Sequence, residues 1–150
     1  MKKYLSFLMA PIAFWVGIAW AGNEASPYQR LSNTRSLKCT FSTVIQASWK
    51  SGELSTKTES ESWDVNLDNI DLKSGHARAI GNQGAVDVVV LITLESLSFL
   101  EVTQSGNPHL TTVFPNYKTG TDDFIAVTSR HISFLHPFPS QHHGTCKTWG

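Results

Sequence analysis

Residues 38–50 read Lys-Cys-Thr-Phe-Ser-Thr-Val-Ile-Gln-Ala-Ser-Trp-Lys. Cys39, Phe41, Thr43, Ile45, Ala47 and Trp49 fall on one parity. Lys38, Thr40, Ser42, Gln46 and Ser48 fall on the other, with Val44 among them. Apolar and polar residues that alternate every second position describe a half-buried strand, because successive side chains of an extended chain point to opposite sides. Ser51-Gly52 then supplies a turn. From this strand the chain is read outward as a succession of short extended segments.

The next segment runs from about Thr58 to Leu67, with Trp63, Val65 and Leu67 on one face. At Asp68-Asn69 the apolar parity flips, since Ile70 and Leu72 continue on even numbers. One extra residue that reverses the phase predicts a β-bulge. Lys73-Ser74-Gly75 turns the chain into a short strand, His76 to Ile80, and Gly81-Asn82-Gln83-Gly84 reads as a hairpin loop. Val86, Val88, Val90, Ile92 and Leu94 share one parity, which predicts a central and well-buried strand. Three further strands are expected at Leu97–Thr103, Leu110–Phe114 and Phe124–Phe134. The tail from Leu135, with Pro137 and Pro139, is expected to be irregular until Cys146.

Seven strands joined by short turns make an all-β antiparallel up-and-down meander. Its open edges must be closed or covered, so a small barrel or a two-sheet sandwich is the physical solution. Short connections favour the barrel.

The N-terminus has its own logic. Met1-Lys2-Lys3 is basic, Tyr4 to Trp20 is almost wholly apolar, and Ala19-Trp20-Ala21 offers small residues at both ends of a tripeptide. These are the three parts of a secretory signal peptide. An uncleaved membrane anchor is the competing reading, but the apolar stretch is only at the lower limit for spanning a bilayer. The expected organisation is a signal at 1–21, a flexible leader at 22–37 and one β domain at 38–150. No later segment is long and apolar enough to span as a helix, because Val88 to Thr93 is strand-sized. The whole chain has a formal net charge of 0. Loss of Lys2 and Lys3 would leave it slightly acidic, which argues against a nucleic-acid surface. Export, to the periplasm or beyond, would place Cys39 and Cys146 in an oxidising compartment, where a disulfide is the expected state of the only two cysteines. Two free thiols are the alternative.

Gly81-Asn82-Gln83-Gly84-Ala85, Phe99-Leu100-Glu101, Gly106-Asn107, Thr111-Thr112-Val113-Phe114, Ser129-Arg130-His131 and Ser140-Gln141 leading to Gly144-Thr145-Cys146 form a pattern. With Cys39 opening the first strand, the chain resembles over residues 38–149 a family of short exported bacterial proteins of unknown function. The resemblance implies a scaffold and an exported location and carries no catalytic assignment.

The residues themselves specify no reaction and call for no cofactor. His131, His136, His142 and His143 lie close together in sequence, but at irregular spacing in a proline-broken tail. A metal site needs converging ligands, so they are read as exposed tail histidines. Ser129 and His131 share a strand face but stand too far apart for direct contact. Asp64, Asp68, Asp71, Asp87, Glu101, Asp122 and Asp123 offer no distinguished pair of carboxylates. Trp49 and Trp63, with Phe41, Phe99 and Phe124, either fill the barrel or line a pocket within it. Glu101 follows Leu97 and Phe99 on one parity, and Arg130 lies among Ala126, Thr128, Ile132 and Phe134 on another. Each apolar face therefore carries one charge, which needs a partner or an open rim.

The expected function is that of an exported, non-enzymatic binding protein. A small molecule in the barrel interior, held by Glu101, Arg130, Trp49 and Trp63, is the favoured version. A protein partner, such as an envelope enzyme inhibited through loops 115–123 and 135–145, is the alternative.

Overall fold

The computed structural model describes residues 24–115 and 123–149. The expected signal at 1–21 and most of the loop 115–123 lie outside these residues. Eight antiparallel strands follow one another around a closed ring: β1 (Leu37–Lys50), β2 (Glu53–Asp71), β3 (His76–Gly81), β4 (Gly84–Ile92), β5 (Leu97–Val102), β6 (Pro108–Phe114), β7 (Phe124–Phe134) and β8 (His136–Thr148). The sheet closes because β1 pairs with both β2 and β8.

The all-β meander thus takes its barrel form, with eight strands rather than seven. The tail is not irregular: His136–Thr148 pairs with β7 on one side and β1 on the other. Pro137 and Pro139 sit at its outer end, where β8 has not yet met β1, so a missing N–H costs no ladder bond on that side. The segment 135–145, expected as a loop, is therefore mostly strand.

Two bulges set which side chains enter the barrel. At Asn69, whose φ is 51°, β2 shifts register against β3, and Ile70 turns inward as the parity flip predicts. A second shift lies between Phe41 and Thr43 in β1. It reverses the phase of the opening stretch, so Val44 is buried, Ile45 is exposed and Trp49 is 46% exposed. The alternation from Cys39 to Trp49 is thus two half-patterns joined at Ser42, not one continuous face. Trp49 lies beyond the barrel wall, on the β1–β2 hairpin that Ser51 and Gly52 turn with positive φ.

The strand β4 also departs from expectation. Only Val88 and Val90 are buried, while Val89 and Leu91 face outward and are exposed. A closed ring has no central strand, so every strand keeps an outer face.

Of the expected leader, residues 24–37 are described. Pro27–Asn33 forms a short helix, α1. Ser26 caps it, with its side chain accepting from the Gln29 N–H while the Gln29 side chain accepts from the Ser26 N–H. Seven residues are too few for an isolated helix to persist in water. Tertiary contacts hold it: Leu31 is fully buried in the barrel core, Tyr28 Oη donates to the Thr93 carbonyl at 2.9 Å, and Arg35 exchanges backbone and side-chain bonds with Ile70. The helix plugs one end of the barrel. Beneath it pack Leu37, Ile70, Leu97, Val113 and Phe124.

The seam between β1 and β8 carries the disulfide. Cys39 and Cys146 are directly opposed, with Cα atoms 3.9 Å apart, and both are fully buried. Next along the seam, Phe41 opposes Gly144. A Cβ on Gly144 would overlap the Thr40 carbonyl oxygen and stand 2.7 Å from the Phe41 Cα. Both are backbone atoms and cannot swing away, so the bulged strand closes onto β8 only over a bare glycine. Gly144→Ala is therefore expected to destabilise the domain by about 3 kcal/mol or more, at the upper end of overpacking costs. Replacing both cysteines by alanine should remove up to about 4–5 kcal/mol in the chain-entropy model, for a sequence separation of 107. Urea unfolding of the two variants measures both losses, and a Gly144→Ala protein as stable as wild type would contradict the close approach at the seam.

Candidate functional site

Among the described residues, nothing closes the end of the barrel opposite α1. A cavity of about 1250 Å³ occupies it, with its mouth between the β3–β4 hairpin and the β5–β6 turn. Small-molecule sites typically measure about 300–1,000 Å³, so the space, open at its mouth, has room for a molecule of that class. The deeper wall is apolar, with Leu67, Ala79, Val88 and Phe99. Above it lies a belt of inward polar residues: Glu61, Glu101, His109, Thr111, Thr128 and Arg130.

Register explains the belt. Glu101 opposes His109, and His109 opposes Arg130; one step deeper, Thr111 opposes Thr128. Directly opposed residues share a face of the sheet. Here the shared face is the interior, because Phe99, Val113 and Ala126 continue the same rows into the core. Glu101 and Arg130 both face inward, as their parities predict. They do not pair, since His109 on the intervening strand stands between them and Glu101 lies 3.7 Å from the His109 Nδ1.

Arg130 instead stacks on Trp63, with its guanidinium carbon 4.3 Å from the ring centroid. The contact is a cation–π interaction in a partly dehydrated site. Arg130 Nε is buried and has no hydrogen-bond partner among the described residues. Burial opposes the arginine's charge, while the Glu61 and Glu101 carboxylates favour it. Guanidinium does not lose its proton in proteins, so the cavity holds a fixed cation.

Trp63 is the point at which the site joins the fold. Its ring stacks on Phe41 at 4.5 Å, and its indole N–H donates to His142 Nδ1 at 3.1 Å. An indole nitrogen can only donate. His142 Nδ1 must therefore accept, which places the ring's single proton on Nε2, 3.1 Å from the Ser140 hydroxyl. Burial, followed by the Arg130 charge, lowers the His142 pKa below its usual 6.5. His109 is lowered as well, chiefly by burial. The 3.3 Å approach of Glu61 to His142 Nδ1 is accordingly no ion pair at neutral pH. It becomes one only if the ring takes a second proton and releases Trp63.

The other expected site residues go elsewhere. Trp49 is outside the barrel and Phe41 and Phe124 are core, while Phe99, also buried, forms part of the cavity wall. Ser129 and His131 face outward, and Ser129 accepts from Gln141 Nε2 at 3.4 Å. Asp64 binds Lys38 and Thr40 on the outer surface, Asp68 accepts from Ser36, Asp71 closes a turn and Asp123 meets Lys147. The tail histidines are dispersed: His142 points inward and is 3% exposed, whereas its neighbour His143 points out. Among the described residues no three His, Cys, Asp or Glu side chains converge as a metal site would require. Glu61, His109, Thr111, Thr128, Ser140 and His142 are site residues that the sequence reading did not single out. Their signal was parity alone: Glu61 shares a face with Trp63, and His142 shares one with Cys146.

No protein-family model, curated protein or solved structure matches the chain.

Buried His142 and half-buried His109 make stability depend on pH. Their native pKa lies below 6.5, near which an unfolded histidine titrates. Between these values the unfolded chain binds more protons, so stability falls as pH drops from about 6.5 towards the native pKa. Asp68 and Asp71, whose pKa values are lowered by hydrogen bonds, act only below about pH 3.8. Denaturant midpoints should thus be level from pH 8 to 7 and decline between pH 6.5 and 5. His142→Gln should flatten that decline, and an unchanged midpoint down to pH 5 in the wild type would refute the assignment of neutral, buried rings.

Proposed function

We propose that the chain is an exported binding protein that holds one small molecule in the open end of its barrel and catalyses no reaction on it. The observation that carries this reading is the cavity itself: about 1250 Å³ of space above an apolar wall, ringed by inward polar side chains. A barrel of eight strands either fills with side chains or encloses one small ligand. Here Ala79 on β3, small and inward-facing, leaves the cavity wall short of the bulk that would fill it. Convergent polar groups over an apolar pocket are the usual composition of a small-molecule site.

Export is supported by the signal-like residues 1–21 and by the Cys39–Cys146 disulfide, which belongs to oxidising compartments. No helix among the described residues is long and apolar enough to cross a membrane. A non-catalytic role is supported by the state of the polar belt. Burial lowers the pKa of His109 in the belt and of His142 beside it from the usual 6.5, which weakens each as a base, and His142 is already committed to Trp63 and Ser140.

Native mass spectrometry of the protein taken from its own exported fraction tests the proposal. The expected spectrum shows a chain beginning at Gly22 with a small molecule attached. Val88→Trp, which adds bulk at the apolar wall, should abolish the adduct while keeping the disulfide and a cooperative melt. A bare chain in the wild type, with no small molecule released on denaturation, would count against the binding role.

A further inference from the structure

We infer that the ligand is an amphipathic organic molecule with a single negative charge, its acidic group held by Arg130 and its apolar body against Val88 and Phe99. The inference rests on the small-molecule reading above and deepens it.

Three observations lead there. The first is the guanidinium of Arg130, which lines the cavity; among the described residues it forms no ion pair with a carboxylate, and its Nε has no hydrogen-bond partner. An unpaired, partly dehydrated cation is costly unless something supplies the missing acceptor. Its planar donors suit a carboxylate or sulfonate, both of which accept two parallel hydrogen bonds.

The second observation is the hydroxyl pair beneath it. Thr111 Oγ1 and Thr128 Oγ1 lie 2.8 Å apart and share one hydrogen bond. Two hydroxyls joined by one bond leave one O–H hydrogen free to donate. Thr128 is two residues from Arg130 on the same inward face. Whichever threonine keeps it, the free hydrogen lies on the same inward face one residue pair deeper than the guanidinium, so an accepting group seated between the two levels can use both donors.

The third observation fixes the charge. Glu101 sits one strand beyond His109, and Glu61 approaches His142 near the rim with its side chain 45% exposed. Neither neutralises Arg130 by contact, but both disfavour a second negative charge in the same space. A monoanion is accommodated, whereas a phosphate-like dianion meets repulsion from two sides. The apolar wall of Leu67, Ala79, Val88 and Phe99 then takes the hydrocarbon part.

The test compares two fluorescent probes with the same aromatic body, anilinonaphthalene sulfonate and its uncharged counterpart phenylnaphthylamine. Wild-type protein should bind the sulfonate about tenfold or more tightly than the neutral amine, the scale expected for hydrogen bonds to a charged group. Arg130→Met should erase that preference and leave binding of the neutral amine in place. Should Arg130→Met fail to fold, Glu101→Gln serves as the second variant and should widen the preference for the sulfonate. Equal binding of the two probes by wild type, or a preference untouched by Arg130→Met or Glu101→Gln, overturns the anionic assignment while sparing the cavity. Failure of both probes to bind removes the small-molecule reading and this inference with it.

Discussion

The seam between the first and last strands is the constraint on which the rest depends. A meander of eight strands is a sheet with two exposed edges until β1 reaches β8, and exposed edges pair with whatever chain comes next. Closure requires two things that only particular residues supply. Gly144 lets the bulged backbone at Thr40 and Phe41 pass within a distance that no side chain would permit. Cys39 and Cys146 then hold the seam one step further along, on the interior side. Loss of either weakens the seam that defines an inside and an outside for the other six strands.

Closure also decides where water can go. The ring is plugged at one end by α1, whose Leu31 completes the core, and the fully buried side chains gather at that end. No described residue plugs the opposite end, and β3 pairs β2 only from Asn66 onward. The N-terminal part of β2, with Glu61, therefore stands without a β3 neighbour beside the cavity mouth. Polar residues are tolerated inward there because the opening reaches solvent. The graded interior, apolar at depth and charged near the rim, follows from the position of the helix.

Much of this order was legible in the strand periods. The turns at Ser51-Gly52 and Lys73-Ser74-Gly75, the bulge at Asn69 and the inward parities of Glu101 and Arg130 all stand where alternation and turn chemistry put them. The bulge at Ser42 was hidden because both of its half-patterns contain apolar residues, Val44 on one parity and Ile45 on the other. Assigning Trp49 to the interior followed from that missed slip, since one residue moves every later side chain to the opposite face. The last strand was obscured by Pro137 and Pro139, which read as breakers but occupy a stretch unpaired on one side. His142 was recoverable in principle. A disulfide inside the barrel orients Cys146 inward, and counting back by twos brings Gly144, His142 and Ser140 to the same face. The contact between Trp63 and His142, 79 residues apart, was not recoverable, because it depends on ring closure and no local pattern encodes it.

Trp63 then connects the fold to the candidate site through one side chain. It stacks on Phe41 in the core, donates to His142 on the closing strand and carries Arg130 on its π-surface. Phe41 and His142 both belong to the seam, so the residue that presents the cation to the cavity is itself fixed by closure. Rigid support of this kind lowers the ordering cost of binding. It also gives the neutral state of His142 a structural meaning. Protonation would exchange the Trp63 hydrogen bond for one to Glu61, loosening the tryptophan at the same moment that it adds a positive charge near Arg130. Retention of the indole contact and of a single fixed cation in the cavity are therefore one condition, met only while the imidazole stays neutral.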